Sequence, residues 1–425
     1  MNKKVIVTSI EILDDVFNKN IPFAIVIKQK LKKLNVKDDI KKVISTLVGC
    51  ELRHHLIFKE ISDDFFKDID NLSMYLIYLA HANNLFIKYF DFDDMVNYVY
   101  ESLKEKGYTF DKKDIVNYFT LKNDTKKLIP DKYDVNSNEF LSLRFNTPSW
   151  LVKMWNKNYG RSLTLKILKA NSKAPINTYR VNTILTTTEE VINSTEFTKA
   201  FIEDVVIYQG KDNIRNNSLY TSNEIFHQKM GFKYIVDKFD IDPLRGIAIY
   251  QGGSSNFYLE VALRGQLATP IDLIMSSHQD FYDTRNNVPK FGIKNLKTYL
   301  AEPSSIVTCV SKKVNTFFVL PRSSNFELLR STPDYFARFK RESLDNLINE
   351  QYIALSETKD LIEEGGNLVY IISTLCNKEG HGNIYRFLKE NPNFKLVEER
   401  QLFPFDPYDS SIYYAILRKD VSNED

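Results

Sequence analysis

Eight basic residues and no acid occupy the window from Phe140 to Thr188: Arg144, Lys153, Lys157, Arg161, Lys166, Lys169, Lys173 and Arg180. The chain holds 55 Asp and Glu in 425 residues, so an acid-free run of this length is unusual for it. A basic window with embedded aromatics, here Trp150 and Trp155, is the footprint expected for phosphate contact with base stacking. The tryptophans carry less of that reading, because Trp150, Leu151, Met154 and Trp155 recur at helical spacing and read as packing. Nucleophilic or metal chemistry has thinner support. Cys50, Cys309 and Cys376 form neither a CxxC pair nor a disulfide framework. His54 and His55 sit beside Arg53 in a helical pattern and read as solvent-facing. His81, His227, His278 and His381 have no metal-ligand spacing. There is no Walker loop and no GxSxG turn. Gly252 and Gly253 could open a nucleotide-cradling loop, but a lone glycine doublet is a weak signal.

The elements that must position these residues fall into three stretches. Residues 1–140 contain only Gly49, Gly107, Pro22 and Pro130 as breakers. Between them run apolar residues at helical period, which predicts an all-helical bundle. From about Phe226, short apolar strands (Ile247–Tyr250, Ile271–Met275, Thr316–Leu320, Leu368–Ile372) alternate with amphipathic helical stretches, which predicts a parallel sheet. Lys and Arg number 22 against 22 Asp and Glu over 1–140, 12 against 7 over 141–230, and 23 against 26 over 231–425. The net charge of +2 therefore conceals a basic middle segment. Expected domains are a helical one at 1–135, a small basic α/β one at 136–225 and an α/β one at 226–425. The apolar stretches near Met74–Ala82 and Ile202–Tyr208 fall short of the roughly 18 residues of a membrane span. Acids interrupt the N-terminal segment where a signal peptide would be apolar. A cytoplasmic protein that does not enter membranes is expected.

Residues 141–160 (LSLRFNTPSWLVKMWNKNYG) and 171–183 (NSKAPINTYRVNT) resemble the segment that precedes the catalytic domain in the Sun/RsmB family of ribosomal RNA cytosine-C5 methyltransferases. Residues 315–339 (NTFFVLPRSSNFELLRSTPDYFARF) are similar to the family's Asp-Ala-Pro-Cys loop and its later Pro-Asp. Residues 363–383 (EEGGNLVYIISTLCNKEGHGN) are similar to its Thr-Cys segment. Residues 409–420 resemble the closing strand, and 43–61 resemble the family's NusB-like domain. The resemblance implies a NusB-like helical bundle, a small α/β RNA-binding domain and a C-terminal Rossmann-like methyltransferase fold.

It also implies a chemistry: a thiolate attacks C6 of cytosine, S-adenosylmethionine supplies a methyl group, and a base removes the C5 proton. In this chain the two family cysteine positions read Arg322 and Ser373. A guanidinium has no nucleophilic protonation state available, and an unactivated serine is far poorer than a thiolate. Cys376 lies three residues past Ser373, about 10 Å further along an extended chain, and reads as packing. The acid that would face cytosine is Val319, the ribose acid position falls in Met275–Ser276–Ser277, and the loop lysine is Ser254. Gly252, Gly253 and Glu302 remain as residual cofactor contacts. Scaffold retained and chemistry removed is the pattern of a pseudoenzyme. The leading expectation is thus an RNA-binding protein, acting on ribosomal RNA or an assembly intermediate, that does not bind S-adenosylmethionine. Arg322, Arg330 and Arg338 would line the former catalytic cleft and join the basic window in contacting RNA. Two alternatives stand beside it: a divergent active methyltransferase using Cys376, and a protein-interaction module acting through the NusB-like domain. No metal is expected.

Overall fold

The computed structural model describes residues 3–239, 241–242, 245–265 and 269–421. These fall into two compact units: the chain up to Ser172 with Leu328–Lys340, and Lys173–Glu327 with the chain from Arg341 onward.

The first unit is helical for the reasons its pattern suggests. Lys3–Phe17 buries Val5, Ile6, Ile12, Leu13 and Val16, one stripe of a 3.6-residue period. Asp38–Ser62 carries two acids in its first turn, which suits the helix dipole. Asn71–Ala82 starts where the Asp70 carboxylate accepts the Ser73 N–H at 3.1 Å. His54 and His55 are packing residues rather than solvent-facing ones. His54 stacks on Phe86 with ring centroids 4.2 Å apart, and His55 lies 2.6 Å from the carboxylate of fully buried Glu51. Both residues turn toward helix neighbours, which a reading of local charge does not register.

Asn138–Arg144 and Ser149–Asn171 also belong to this unit. The second breaks at Gly160, whose φ of 77° is open to glycine. This unit thus runs to Ser172, past the boundary expected at 135. The one expected at 225 falls inside a strand. Leu328–Lys340 joins the helical unit because the Phe23 N–H donates to Asp334 at 3.0 Å and Ala337 packs on the bundle core.

The second unit holds two sheets among the described residues. Strands β1 (Thr178–Val181), β2 (Phe197–Lys199), β3 (Val205–Tyr208) and β4 (Ile225–His227) make an antiparallel sheet in the order β2-β3-β1-β4. The larger sheet contains β5 (Ile247–Gln251), β6 (Ile271–Met275), β7 (Leu296–Leu300), β8 (Val314–Leu320), β9 (Ile362–Ile372), β10 (Phe394–Leu402) and β11 (Ile412–Lys419). Its order is β10-β11-β9-β8-β5-β6-β7. Strands β5 to β9 are parallel, and β11 runs antiparallel to both β9 and β10. This is the Rossmann-like arrangement expected for the C-terminal segment. Apolar clusters pack on both faces of the sheet, which is why its strands read as continuous apolar runs. Strand order reverses between β5 and β8, and in open α/β sheets the crevice beyond the carboxyl ends at that point is where ligands bind.

Candidate functional site

Three strand ends meet at that crevice. β5 runs out at Gln251 into Gly252 and Gly253, β8 at Leu320 into Pro321 and Arg322, and β9 at Ile372 into Ser373. Two cavities open there and share Pro321, Arg322 and Glu350. One, of about 470 Å³, is lined by Gln251, Gly253, Ser254, Ser255, Ser323, Asn325 and Ser373 among others. The other, of about 620 Å³, is lined by Tyr250, Gly252, Ser276, Ser277, Glu302 and Pro303.

Arg322 stands between them. Its Nη2 donates to Glu350 Oε2 at 2.6 Å, and the two side chains are 62% and 43% exposed. That hydrogen bond raises the guanidinium's already high pKa, so it carries a permanent positive charge. Its backbone is held as well: the Gln351 amide donates to the Arg322 carbonyl at 3.0 Å.

Behind the loop lies Glu379, fully buried. Its carboxylate accepts the Ser324 N–H at 2.8 Å, the Ser324 hydroxyl at 2.6 Å, the Gln351 amide at 2.9 Å and the Thr374 hydroxyl. Burial pushes this carboxyl above the usual range while the four donors oppose the shift. One carboxylate thus ties the loop after β8 to the loop after β9.

Among the described residues, Ser373 has no activating base. Lys229 lies 3.5 Å from its hydroxyl and is engaged at 2.6 Å with Glu327. The Ser373 carbonyl accepts the Ser323 hydroxyl at 3.1 Å. Cys376 is 1% exposed, and burial pushes its thiol up to about 12. The thiolate needed for attack is scarce at neutral pH. Cys50 is shifted to about 12 for the same reason, and all three cysteines are free. Val319 is fully buried in the core that also holds Tyr250 and Tyr370.

In the second cavity, the positions expected to hold the ribose are already engaged. The Ser276 hydroxyl donates to the Gly252 carbonyl at 3.1 Å, and the Ser277 hydroxyl accepts the Asp280 N–H at 3.2 Å as a helix cap. The carboxylates on the lining are Glu302 and Glu350, the latter paired with Arg322. Gly252 has its own reason to be glycine: a Cβ there would stand 2.6 Å from the Arg322 backbone nitrogen. Gly253 has open space at the same position.

The basic set does not act as one group. Arg180 is 4% exposed, with its Nε 3.1 Å from both oxygens of buried Glu260 and its Nη1 3.4 Å from Asp204. It is an internal cation of the second unit, because β1 runs through the interior, and it is withdrawn from the RNA-facing set. Arg330 and Arg338 do not line either cavity. They lie in the segment that packs with the helical unit, where Arg338 donates to Asp334 at 2.8 Å. Proximity to Arg322 in sequence misled there, since the chain leaves one unit at 327. Arg144, Lys153, Lys157, Lys166, Lys169 and Lys173 are exposed or half-buried, as is Arg161. Lys153 and Lys157 are four residues apart on one helix and share a face. No carboxylate of the described residues lies within ion-pair distance of either. Trp155 is fully buried, as its spacing implied.

Sequence reasoning missed Glu350, Gln351, Glu379, Lys229 and Glu327. Nothing local marks them, since each becomes polar lining or buried anchor only through tertiary placement. Among the described residues no cluster of three metal-ligating side chains occurs, and no helix is long and apolar enough to cross a membrane.

Residues 147–200 match the family model for the ferredoxin-like domain of RsmF/B-like methyltransferases. The chain is 22% identical over 263 residues to a probable ribosomal RNA small subunit methyltransferase B of Bacillus subtilis. That match takes in 60% of this chain and 58% of the relative's length. Among solved structures, PH0851 covers 99% of both chains with a TM-score of 0.75 at 17% identity. NSun6 from Pyrococcus horikoshii, solved with SFG, has a TM-score of 0.58 at 12% identity over 65% of this chain and 99% of its own. Those likenesses speak to the fold. The matched domain and the Bacillus subtilis relative are both of the RsmF/B type, in agreement with the resemblance carried by 141–183 and 315–383.

Proposed function

We propose that this chain is a cytoplasmic RNA-binding protein of the Sun/RsmB type that holds ribosomal RNA, or a ribosome assembly intermediate, without methylating it. The observation that carries the reading is Arg322, a guanidinium on the lining of both cavities, at the position that the motif resemblance matches to a family cysteine. The second cysteine position, Ser373, has no base among the described residues to activate it, and the nearby thiol of Cys376 is buried. The likeness to a probable ribosomal RNA methyltransferase of Bacillus subtilis supports ribosomal RNA as the ligand class.

The residues present do not fit S-adenosylmethionine. Its ribose hydroxyls and its cationic sulfonium and ammonium groups call for carboxylates. Here the hydroxyls of Ser276 and Ser277 already serve backbone groups and Glu350 is paired with Arg322, which leaves Glu302 as the one other carboxylate on the second cavity's lining for a ribose and two cationic groups. No methyl-transfer step is routed through the site. Arg322 instead offers the in-plane N–H groups not used on Glu350 to an RNA phosphate or to the edge of a base inserted beside Ser323 and Asn325. The set Arg144, Lys153, Lys157, Lys166, Lys169 and Lys173, with Arg161, supplies the sequence-independent phosphate contacts.

RNA affinity measured across a salt series tests both parts. Lys153→Gln and Lys157→Gln are each expected to weaken binding and to flatten the salt slope by about 0.7 to 0.9. Arg322→Ala is expected to weaken binding as well. Unchanged affinity and slope in Arg322→Ala would remove the role given to that residue.

A further inference from the structure

Away from the crevice, the second unit carries an aromatic ledge with cations laid on it. Phe201, in the turn after β2, is 60% exposed. Its ring lies 5.4 Å from that of Tyr408, which lies 4.2 Å from that of Tyr234. The Arg400 guanidinium sits 5.6 Å from the Tyr234 ring centre and 5.8 Å from that of Tyr408, and donates to the Tyr234 hydroxyl at 2.9 Å. Lys238 lies 4.7 Å over Tyr234 and is paired with Glu398 at 2.9 Å. No carboxylate of the described residues lies within ion-pair distance of Arg400.

An exposed ring beside a cation with no carboxylate of the described residues at ion-pair distance matches two features of a nucleotide at once. The ring offers a face on which any base can stack, and the cation offers charge to the adjoining phosphate. A protein partner would be better served by a broader apolar surface, whereas of the three rings of this ledge Phe201 alone is strongly exposed, Tyr408 and Tyr234 being half-buried. We propose that the Phe201–Tyr408–Tyr234 ledge with Arg400 is a contact for single-stranded RNA, with a base stacked on Phe201 and a phosphate at Arg400. The proposal rests on the RNA-binding reading above and gives that reading a second surface. None of its residues belongs to the basic set of 144–173 or to the two cavities.

The test is fluorescence anisotropy of the full chain with a labelled single-stranded oligouridine of about 12 nucleotides, repeated across a potassium chloride series. Phe201→Ala is expected to weaken binding about tenfold with an unchanged salt slope, and Phe201→Tyr to restore it. Arg400→Gln is expected to weaken binding and to reduce the slope by about 0.7, one phosphate contact on a single strand. Wild-type affinity in both Phe201→Ala and Arg400→Gln, with loss in Lys153→Gln or Lys157→Gln, would overturn the ledge and leave the RNA-binding reading standing. No binding by the wild-type chain would overturn both. Because Phe201 is exposed, an unchanged melting temperature in Phe201→Ala excludes unfolding as the cause of any loss.

Discussion

Truncating Glu379 to alanine removes the carboxylate that joins the loop bearing Arg322 to the loop bearing Ser373. Four donors then lose their acceptor: the Ser324 N–H and hydroxyl, the Thr374 hydroxyl and the Gln351 amide. The two hydroxyls can partly re-pair, since those of Ser324 and Thr374 already lie 2.9 Å apart. The Gln351 amide keeps only its bond to the Arg322 carbonyl, and the Ser324 N–H loses the carboxylate that accepts it. Each buried donor left unsatisfied costs about 1–3 kcal/mol, and the cavity adds to that. Against this, removing a carboxyl whose ionisation is penalised by burial recovers part of the loss. A net destabilisation of about 3 kcal/mol is expected. Chemical denaturation measures it, and hydrogen exchange at the Ser324 amide locates it. The pH dependence gives a second check. Glu379 has a raised folded-state pKa, so the protonated carboxyl is the better-tolerated form. Its contribution is fully present below the unfolded value, about 4.3, and declines as pH rises through the folded value. The stability difference between wild type and Glu379→Gln should therefore favour wild type most at acid pH and shrink towards neutrality. Unchanged stability of Glu379→Ala together with a still-protected Ser324 amide would refute the reasoning.

Arg180→Met leaves Glu260 buried without its main countercharge. About 3–5 kcal/mol of stability should be lost by chemical denaturation, with RNA affinity under folding conditions unchanged. Weaker RNA binding without lost stability would return Arg180 to the binding set. Gly252→Ala forces a Cβ to within 2.6 Å of a backbone nitrogen. It should destabilise by about 1–3 kcal/mol, read as a lowered melting temperature, whereas Gly253→Ala, with open space at its Cβ, should cost far less.

The architecture was legible because its signals are periodic. A helical period with few breakers marks the bundle, and continuous apolar runs mark strands buried on both faces. The division between units was not legible. Helix Ser149–Asn171 falls in a small α/β domain by its family motif and by the matched domain of 147–200, yet it is grouped in the same compact unit as the bundle, and the Pro333–Asp334 turn returns to the bundle by accepting the Phe23 N–H. Arg322, Ser373, Gly252 and Gly253 could be placed by motif alone because they sit at strand ends. Arg180 could not be judged, because a count of charges along a chain says nothing about which of them face inward. Glu379 was invisible for the same reason: what distinguishes it is four donors brought from three separate segments.

The crevice is proposed to bind no methyl donor and to present no nucleophile. Isothermal titration of the purified chain with S-adenosylmethionine tests it most directly. The account predicts no saturable heat, corresponding to a dissociation constant weaker than about 1 mM. Stoichiometric binding in the micromolar range would contradict it and bring back the reading of a divergent active methyltransferase.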